Sequence, residues 1–272
     1  NTKTIGDFIN EFGIDYMFSL APESEWKKLY PQVDFSKVRY FRSLPGYLDE
    51  DTIARIQRLS ESAADNRTLD IGYRAYGIRQ WLGRHGFLKL RIADVFKKKA
   101  PGLGLSADIS TRKEDTFLGD EWFKFLLRCK YTIAVEGGAS LCDWDGRIRK
   151  RTEAYMKAHP EAPFDEIEAA CFPGKDGSIR YFAISPKHLE TCATRTWQVL
   201  VEGEYNRILK PGIHYIEIKK DLSNIDEVLS CMKEDKQRTS ITQNAYRDIV
   251  ESGLYTYRKF VAEVLGIALE RE

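Results

Sequence analysis

The sequence predicts an α/β fold: a Rossmann-like, doubly wound and mostly parallel sheet with a small N-terminal portion. Three observations carry that expectation. Short apolar runs rich in β-branched and aromatic residues recur along the chain, Leu69–Tyr73, Tyr131–Val135, Gln198–Val201 and His214–Ile218 among them. Each has the length and composition of a buried strand. Helical patterns separate these runs, which is the alternation of an open α/β sheet. No internal repeat or low-complexity tract interrupts the 272 residues, which removes solenoids and propellers from consideration.

Taken in order, Thr4–Phe12 reads as a short amphipathic helix and Ile14–Leu20 as a strand. Pro22-Glu23-Ser24-Glu25-Trp26 opens a helix, with proline early and acids in the first turn to meet the positive helix end. Leu44-Pro45-Gly46 is a turn and a candidate hinge. Asp49–Ala64 is a helix with Ile53, Ile56 and Leu59 on one stripe. The regular part follows with strand Leu69–Tyr73, a helical region Ile78–Ala100, a weaker strand Leu103–Ile109, helix Asp120–Lys130 and strand Tyr131–Val135. Glu136–Ser140 is expected as a glycine turn. Helices Gly146–Ala158 and Phe164–Cys171, strand Arg180–Ile184 and helix Pro186–Thr194 come next. Gln198–Val201 and His214–Ile218 complete six regular strands, and Ser223–Asn224 starts the first of the closing helices.

Lys plus Arg number 42 against 41 Asp plus Glu, and a net charge of +1 gives no support for bulk nucleic-acid binding. No apolar run approaches the length of a membrane span, and no secretory pattern opens the sequence. The five cysteines are scattered without C-x-x-C spacing. That pattern points to a reducing, cytoplasmic setting and away from a zinc knuckle or disulfide scaffold.

Candidate site residues follow from the expected strand ends, because open α/β sheets bind ligands outside the carboxyl ends of their strands. Glu136, Gly137, Gly138 and Ser140 follow Tyr131–Val135, where backbone N–H groups can approach an anion. They match neither a P-loop nor a dinucleotide fingerprint. After Arg180–Ile184, Ser185 is placed to cap a helix with Pro186 at its first position, which puts Lys187 and His188 in the first turn and Glu190 beyond. Glu202, Gly203, Glu204 and Tyr205 form the lip after Gln198–Val201, and Arg74 follows the first regular strand. Arg84, Lys89, Arg91 and the run Arg147–Arg151 supply further cations, the last reading as a solvated helix face or a contact for an anionic lipid-linked acceptor. Nucleophilic catalysis lacks a G-x-S-x-G elbow. The aromatic content suits sugar stacking, although core packing explains most of it.

One long passage also carries a family resemblance. SPKHLE, then TWQVLVEGEYNRILKPGIHYIEIKKDLSNIDEVL, then ITQNAYRDIVESGLYTYRKFV, resembles the C-terminal half of glycosyltransferases with the two-Rossmann-domain (GT-B) architecture. It is closest in style to bacterial surface-polysaccharide and CAP10-like transferases. The similarity runs from about Asp15 to the end, with specific wording only after Tyr181. It implies an N-terminal portion at 1–64 ending an acceptor domain that is reduced or missing, a nucleotide-sugar-binding domain at 65–237, and closing helices at 238–272. It further implies transfer of a sugar from a nucleotide-activated donor to a glycan, saccharide or lipid-linked acceptor, without metal or other cofactor, by a protein peripheral to the membrane surface. His188 and Glu136 are the implied catalytic residues. Arg74, Gly137, Gly138, Ser140, Lys187, Glu190, Glu202, Glu204 and Tyr205 are the implied donor-binding ones. The family's paired glutamates eight residues apart are broken here, because Gln198 stands at that spacing from Glu190. The ribose role then passes to Glu202 or Glu204, and an inverting base falls near Glu23 or Glu25 or outside the chain. Two rival readings remain. Asp143-Trp144-Asp145 has the letters of a D-x-D motif that holds Mg²⁺ or Mn²⁺ in metal-dependent transferases, and a non-catalytic nucleotide- or sugar-binding module satisfies the same pattern.

Overall fold

The computed structural model describes residues 2–62, 67–75 and 79–269. In chain order the strands are β1 (Tyr16–Ser19), β2 (Arg39–Arg42), β3 (Leu69–Arg74), β4 (Ala107–Ser110), β5 (Cys129–Ala134), β6 (Gly137–Ala139), β7 (Tyr181–Ala183), β8 (Trp197–Val201) and β9 (Tyr215–Ile218). The α-helices are α1 (Thr2–Phe12), α2 (Trp26–Leu29), α3 (Glu50–Ser62), α4 (Leu88–Lys99), α5 (Asp120–Arg128), α6 (Arg147–Ala158), α7 (Phe164–Cys171), α8 (Pro186–Ala193), α9 (Ile225–Glu234), α10 (Arg238–Tyr246) and α11 (Tyr257–Leu269). The chain divides into two compact units. Unit one takes Asn1–Leu44, Ile78–Leu88 and Gly137–Ala183; unit two takes Pro45–Gly77, Lys89–Glu136 and Ile184–Glu272.

Unit two is the α/β sheet that the alternating pattern predicts. Its five strands are all parallel and lie in the order β4-β3-β5-β8-β9. Counted along the chain, that is second, first, third, fourth and fifth. The order reverses between β3 and β5, which makes their carboxyl ends the topological switch point. Ile71, Tyr131, Ile133, Val199, Leu200, Tyr215 and Ile218 are buried along the sheet, which explains why these strands read as continuous apolar runs. Gly72 has a packing reason: a Cβ there would come within 2.8 Å of the Phe125 ring of α5, and closer still to the Cys129 sulfur. At the far end, α10 runs on into a π-turn at Arg247–Glu251.

Unit one has two small sheets. β1 and β2 pair in parallel, Tyr16 opposite Arg39 and Ser19 opposite Arg42. β6 and β7 pair antiparallel, Gly137 opposite Ala183 and Ala139 opposite Tyr181. One apolar cluster gathers Ile9, Leu29, Tyr30, Val33, Val38, Ala139 and Ile179. A second gathers Leu141, Ile167, Cys171 and Phe172.

Three expectations are corrected. The helical region Ile78–Ala100 is shorter: Ile78 lies outside the described residues, Gln80–Leu82 and Arg84–Phe87 are 3₁₀ turns, and α4 begins only at Leu88. Gly83, with φ of 90°, separates the two turns and breaks the helix. The glycine turn at Glu136–Ser140 is a strand, β6, and the next helix does not begin until Arg147. Gly138 is there for close approach, since at its φ of 129° any Cβ would run into the Tyr181 carbonyl. Finally, Arg180–Ile184, expected among the six regular strands of the mostly parallel sheet, is β7 and pairs antiparallel with β6 in unit one. The helix expected at Asp49–Ala64 is present from Glu50 to Ser62, with Ala63 and Ala64 outside the described residues. All five cysteines are free. Among the described residues no helix is long and apolar enough to cross a membrane.

Candidate functional site

The switch point in unit two is where a ligand is expected, and several of the candidate residues meet there. Ser185 and His188 form a capping box at the start of α8, in which the Ser185 side chain accepts from the His188 N–H and His188 Nδ1 accepts the Ser185 N–H at 3.1 Å. This box fixes the first turn of α8 and with it Lys187. The Lys187 ammonium lies 5.1 Å from the ring centroid of Tyr73, the penultimate residue of β3. Burial pushes its pKa down to about 7, and the neighbouring Lys89 ammonium lowers it further against the pull of Glu190. Lys89 is itself lowered by burial, and its carbonyl accepts the Tyr73 hydroxyl at 3.4 Å. Glu190 lies one turn along α8 and accepts the Trp122 indole N–H at 2.8 Å. Burial raises the Glu190 pKa, partly offset by that hydrogen bond and by Lys187.

Glu136 follows β5 on the other side of the switch point. It is buried, and its carboxylate accepts the Tyr205 N–H at 2.7 Å and the Glu204 N–H. Burial raises its pKa more than those two amides lower it. Tyr205, Asn206 and Arg207 all have positive φ, and this tight backbone turns the loop amides toward the carboxylate. Gly203 completes the cradle, because a Cβ there would lie 2.5 Å from Glu136 Oε2. The loop after β8 thus separates its four expected ligand residues. Glu202 and Glu204 are exposed, while Tyr205 is fully buried with its hydroxyl donating to the Val201 carbonyl at 2.6 Å.

Other candidates are placed differently. His188 is fully buried, edge-on to Tyr205, and its Nε2 finds no hydrogen-bond partner among the described residues. Burial and Lys187 push its pKa down to about 3, so the ring is neutral. The ring of His188, one of the implied catalytic residues, is thus enclosed in the packing of unit two. Arg74 closes β3, and its guanidinium donates to the carbonyls of Tyr73, Asp108 and Asp115 and to the Asp108 carboxylate, and lies against the rings of both Phe117 and Phe125. Gly137, Gly138 and Ser140 belong to unit one. There the Ser140 hydroxyl donates to Asp176 at 2.7 Å and accepts the His85 N–H, latching the 3₁₀ turns in place. Arg84 pairs with Asp165 and Glu168 in the same unit.

The D-x-D letters build a helix start. Asp143 accepts N–H groups from Gly146, Ile148 and Arg149 at 2.9–3.1 Å, and Asp145 accepts from Arg147. Of the two acids after β1, Glu25 is buried and pairs with Lys28, while Glu23 lines a cavity with Trp26, Phe35 and Phe41. Sequence reasoning missed two members of the unit-two cluster, the Tyr73 ring under Lys187 and the Trp122 donor to Glu190. Each is distant in sequence from its partner, and nothing local to either marks the pairing.

No protein-family model matches the chain, and no curated protein does. Solved structures similar to it include Anabaena HepE in complex with UDP and glucose, at 11% identity and a TM-score of 0.48, covering 97% of this chain and 66% of that one. HepE in complex with UDP gives 11% and 0.47 over 97% and 67%. TarM gives 10% and 0.44 over 97% and 45%. The chain spans about two thirds of the length of HepE and under half that of TarM.

Proposed function

We propose that the chain is a glycosyltransferase of the GT-B kind, with unit two as its donor-binding half. It takes a nucleotide-activated sugar and transfers the sugar, without metal, to a saccharide or lipid-linked acceptor of the surface-glycan class, on the cytoplasmic face of a membrane. One observation carries the reading. Two desolvated lysines, Lys187 and Lys89, are held together at the carboxyl end of β3, beside the switch point. Placing like charges together away from water depresses their pKa values, and an anion sharing the site restores the charged forms. A diphosphate supplies that anion, and fixed cations are what its departure from the sugar requires.

The other residues take roles around this pair. His188 and Ser185 position α8 and hence Lys187. Exposed Glu202 and Glu204 accept ribose hydroxyls in this reading, and half-buried Glu190, with its raised pKa, sits one turn from Lys187. Glu136 fixes the Glu202–Tyr205 loop through the amides it accepts, and its raised pKa suits a proton-transfer role on the reacting sugar. Tyr205 packs beneath, Arg74 stiffens the end of β3, and Gly137, Gly138 and Ser140 shape the chain that follows β5.

A thermal-shift panel of UDP, GDP, CMP, ADP and dTDP, with and without Mn²⁺, tests the reading. One nucleotide should stabilise the protein without metal, by about 2.7 kcal/mol at a hundredfold excess over its dissociation constant. No shift with any of them removes the donor-site reading. A shift seen only with Mn²⁺ moves the chemistry to Asp143 and Asp145. Binding without hydrolysis of, or transfer from, the matching nucleotide sugar leaves a binding module.

A further inference from the structure

Unit one contains a cavity of about 620 Å³ that no role proposed so far uses. Its inner wall is apolar and aromatic: Leu29, Tyr30, Leu141 and Ile179 are buried, and Trp81 and Tyr181 line it beside them. The Tyr181 phenol is desolvated there, with a raised pKa. Its exposed side is charged and belongs mainly to α6, through Arg149, Lys150 and Glu153, with Ile5 of α1 at the same mouth. The volume suits a ligand of small-molecule size, and an apolar body with a few polar groups is the usual make-up of its occupant.

The charges at the mouth select the polar end of that ligand. Three acids line the cavity, and each already has partners. Asp143 accepts three backbone N–H groups, Asp145 pairs with Arg147, and Glu153 pairs with Arg149 at 2.9 Å. Arg149 also lies over the Trp81 ring, 5.3 Å from its centroid, so it borders the aromatic wall while engaged. Lys150 remains the cation at the mouth for which no ion pair forms among the described residues. A neutral sugar would need open carboxylates or amides to take up its hydroxyls, and these acids are occupied. An apolar chain ending in an anion meets both halves of the cavity.

We infer that this cavity binds an anionic amphiphile, a prenyl or alkyl phosphate ester, with its hydrocarbon against Trp81, Leu141 and Ile179 and its phosphate at Lys150. Binding stands on unit one alone. Only the further role, that this ester is the lipid carrier of the acceptor, rests on the glycosyltransferase reading. The cavity is lined by residues of unit one, whereas Lys187 and Lys89 belong to unit two, so its failure and the failure of the donor site are measured independently.

Calorimetric titration of the full chain with geranyl phosphate, geraniol and inorganic phosphate tests the inference. Geranyl phosphate should bind at one site, geraniol at least about tenfold more weakly, and phosphate alone negligibly. Lys150→Glu, a change on an exposed helix face, should weaken geranyl phosphate by about tenfold and leave geraniol unchanged. Trp81→Ala should weaken both. Neither variant should alter the nucleotide-induced thermal shift. Equal binding of the alcohol and the ester, or binding of phosphate as tight as the ester, overturns the inference, as does geranyl phosphate affinity that neither substitution changes. Absence of binding by geranyl phosphate overturns it outright.

Discussion

Four carboxylates divide along the two units and meet opposite fates. In unit one, Asp143 and Asp145 face the first amides of α6, and Asp145 is held below the usual carboxylate range by the Arg147 N–H. In unit two, burial raises Glu136 and Glu190, although Glu136 accepts two backbone N–H groups and Glu190 an indole N–H. The number of hydrogen-bond donors does not separate the pairs. Access to water does: Asp145 keeps its charge solvated while it caps a helix, whereas Glu136 and Glu190 are desolvated. The D-x-D letters look more like chemistry than two isolated glutamates do, yet the structure gives the perturbed environment to the glutamates.

The largest expected effect tests unit one as a scaffold. Gly138→Ala forces a Cβ into the Tyr181 carbonyl at a φ that side chains avoid, and chemical denaturation should show a loss of about 3 kcal/mol. A near-neutral result would mean that the β6–β7 pair yields easily. Next is His188→Ala in unit two, which removes a fully buried ring and half of a capping box and should cost about 1–3 kcal/mol. Transfer per folded molecule then decides its role. If it is unchanged while stability falls, His188 positions α8 and does no chemistry.

Lys187→Met should weaken the nucleotide found in the thermal-shift panel by at least about tenfold, measured by titration at pH 7. The same residue gives a pH signature. Its pKa is about 7 in the fold against the ordinary lysine value of 10.5, so between these limits the unfolded chain binds the extra proton. Stability conferred by the neutral side chain therefore grows as pH rises through that window and is absent below it. Wild type should gain melting temperature relative to Lys187→Met from pH 7 to pH 10, and nucleotide binding above pH 7 should take up a proton, visible in buffers of different ionisation enthalpy. No proton uptake would mean that the phosphate does not approach Lys187. The smallest effect returns to unit one. Asp143→Ala should cost about 1 kcal/mol as a lost helix cap and leave nucleotide binding intact; loss of binding would reopen the D-x-D reading.

The parallel sheet was legible because buried strands announce themselves. β5, β8 and β9 lie within a residue or two of the runs that predict them, and the Ser185–Pro186 helix start is local chemistry that survives folding unchanged. Gly83 and Gly138 were harder. A glycine in a sequence looks the same whether it frees a helix end, admits a phosphate or admits another strand, and the Tyr181 carbonyl that decides Gly138 is far along the chain. The same holds for the Lys187–Tyr73 and Glu190–Trp122 contacts, which arise only once the strands are in order. His188 was correctly placed in the first turn of α8, but the turn alone does not say which way its ring faces.

Unit one is assembled from three stretches of chain, the second and third inserted after β3 and after β5. This threading governs the order in which the protein can form as it is synthesised. The cluster around Tyr30 stays incomplete until Ile179 has been made, and β5 waits for β8, which comes later still. Loop closure over such separations is slow, although its entropic cost grows only logarithmically with length. Nascent chains released before β8 would therefore expose both an unfinished apolar cluster and an unpaired edge of β5, the surfaces by which incomplete chains associate with one another.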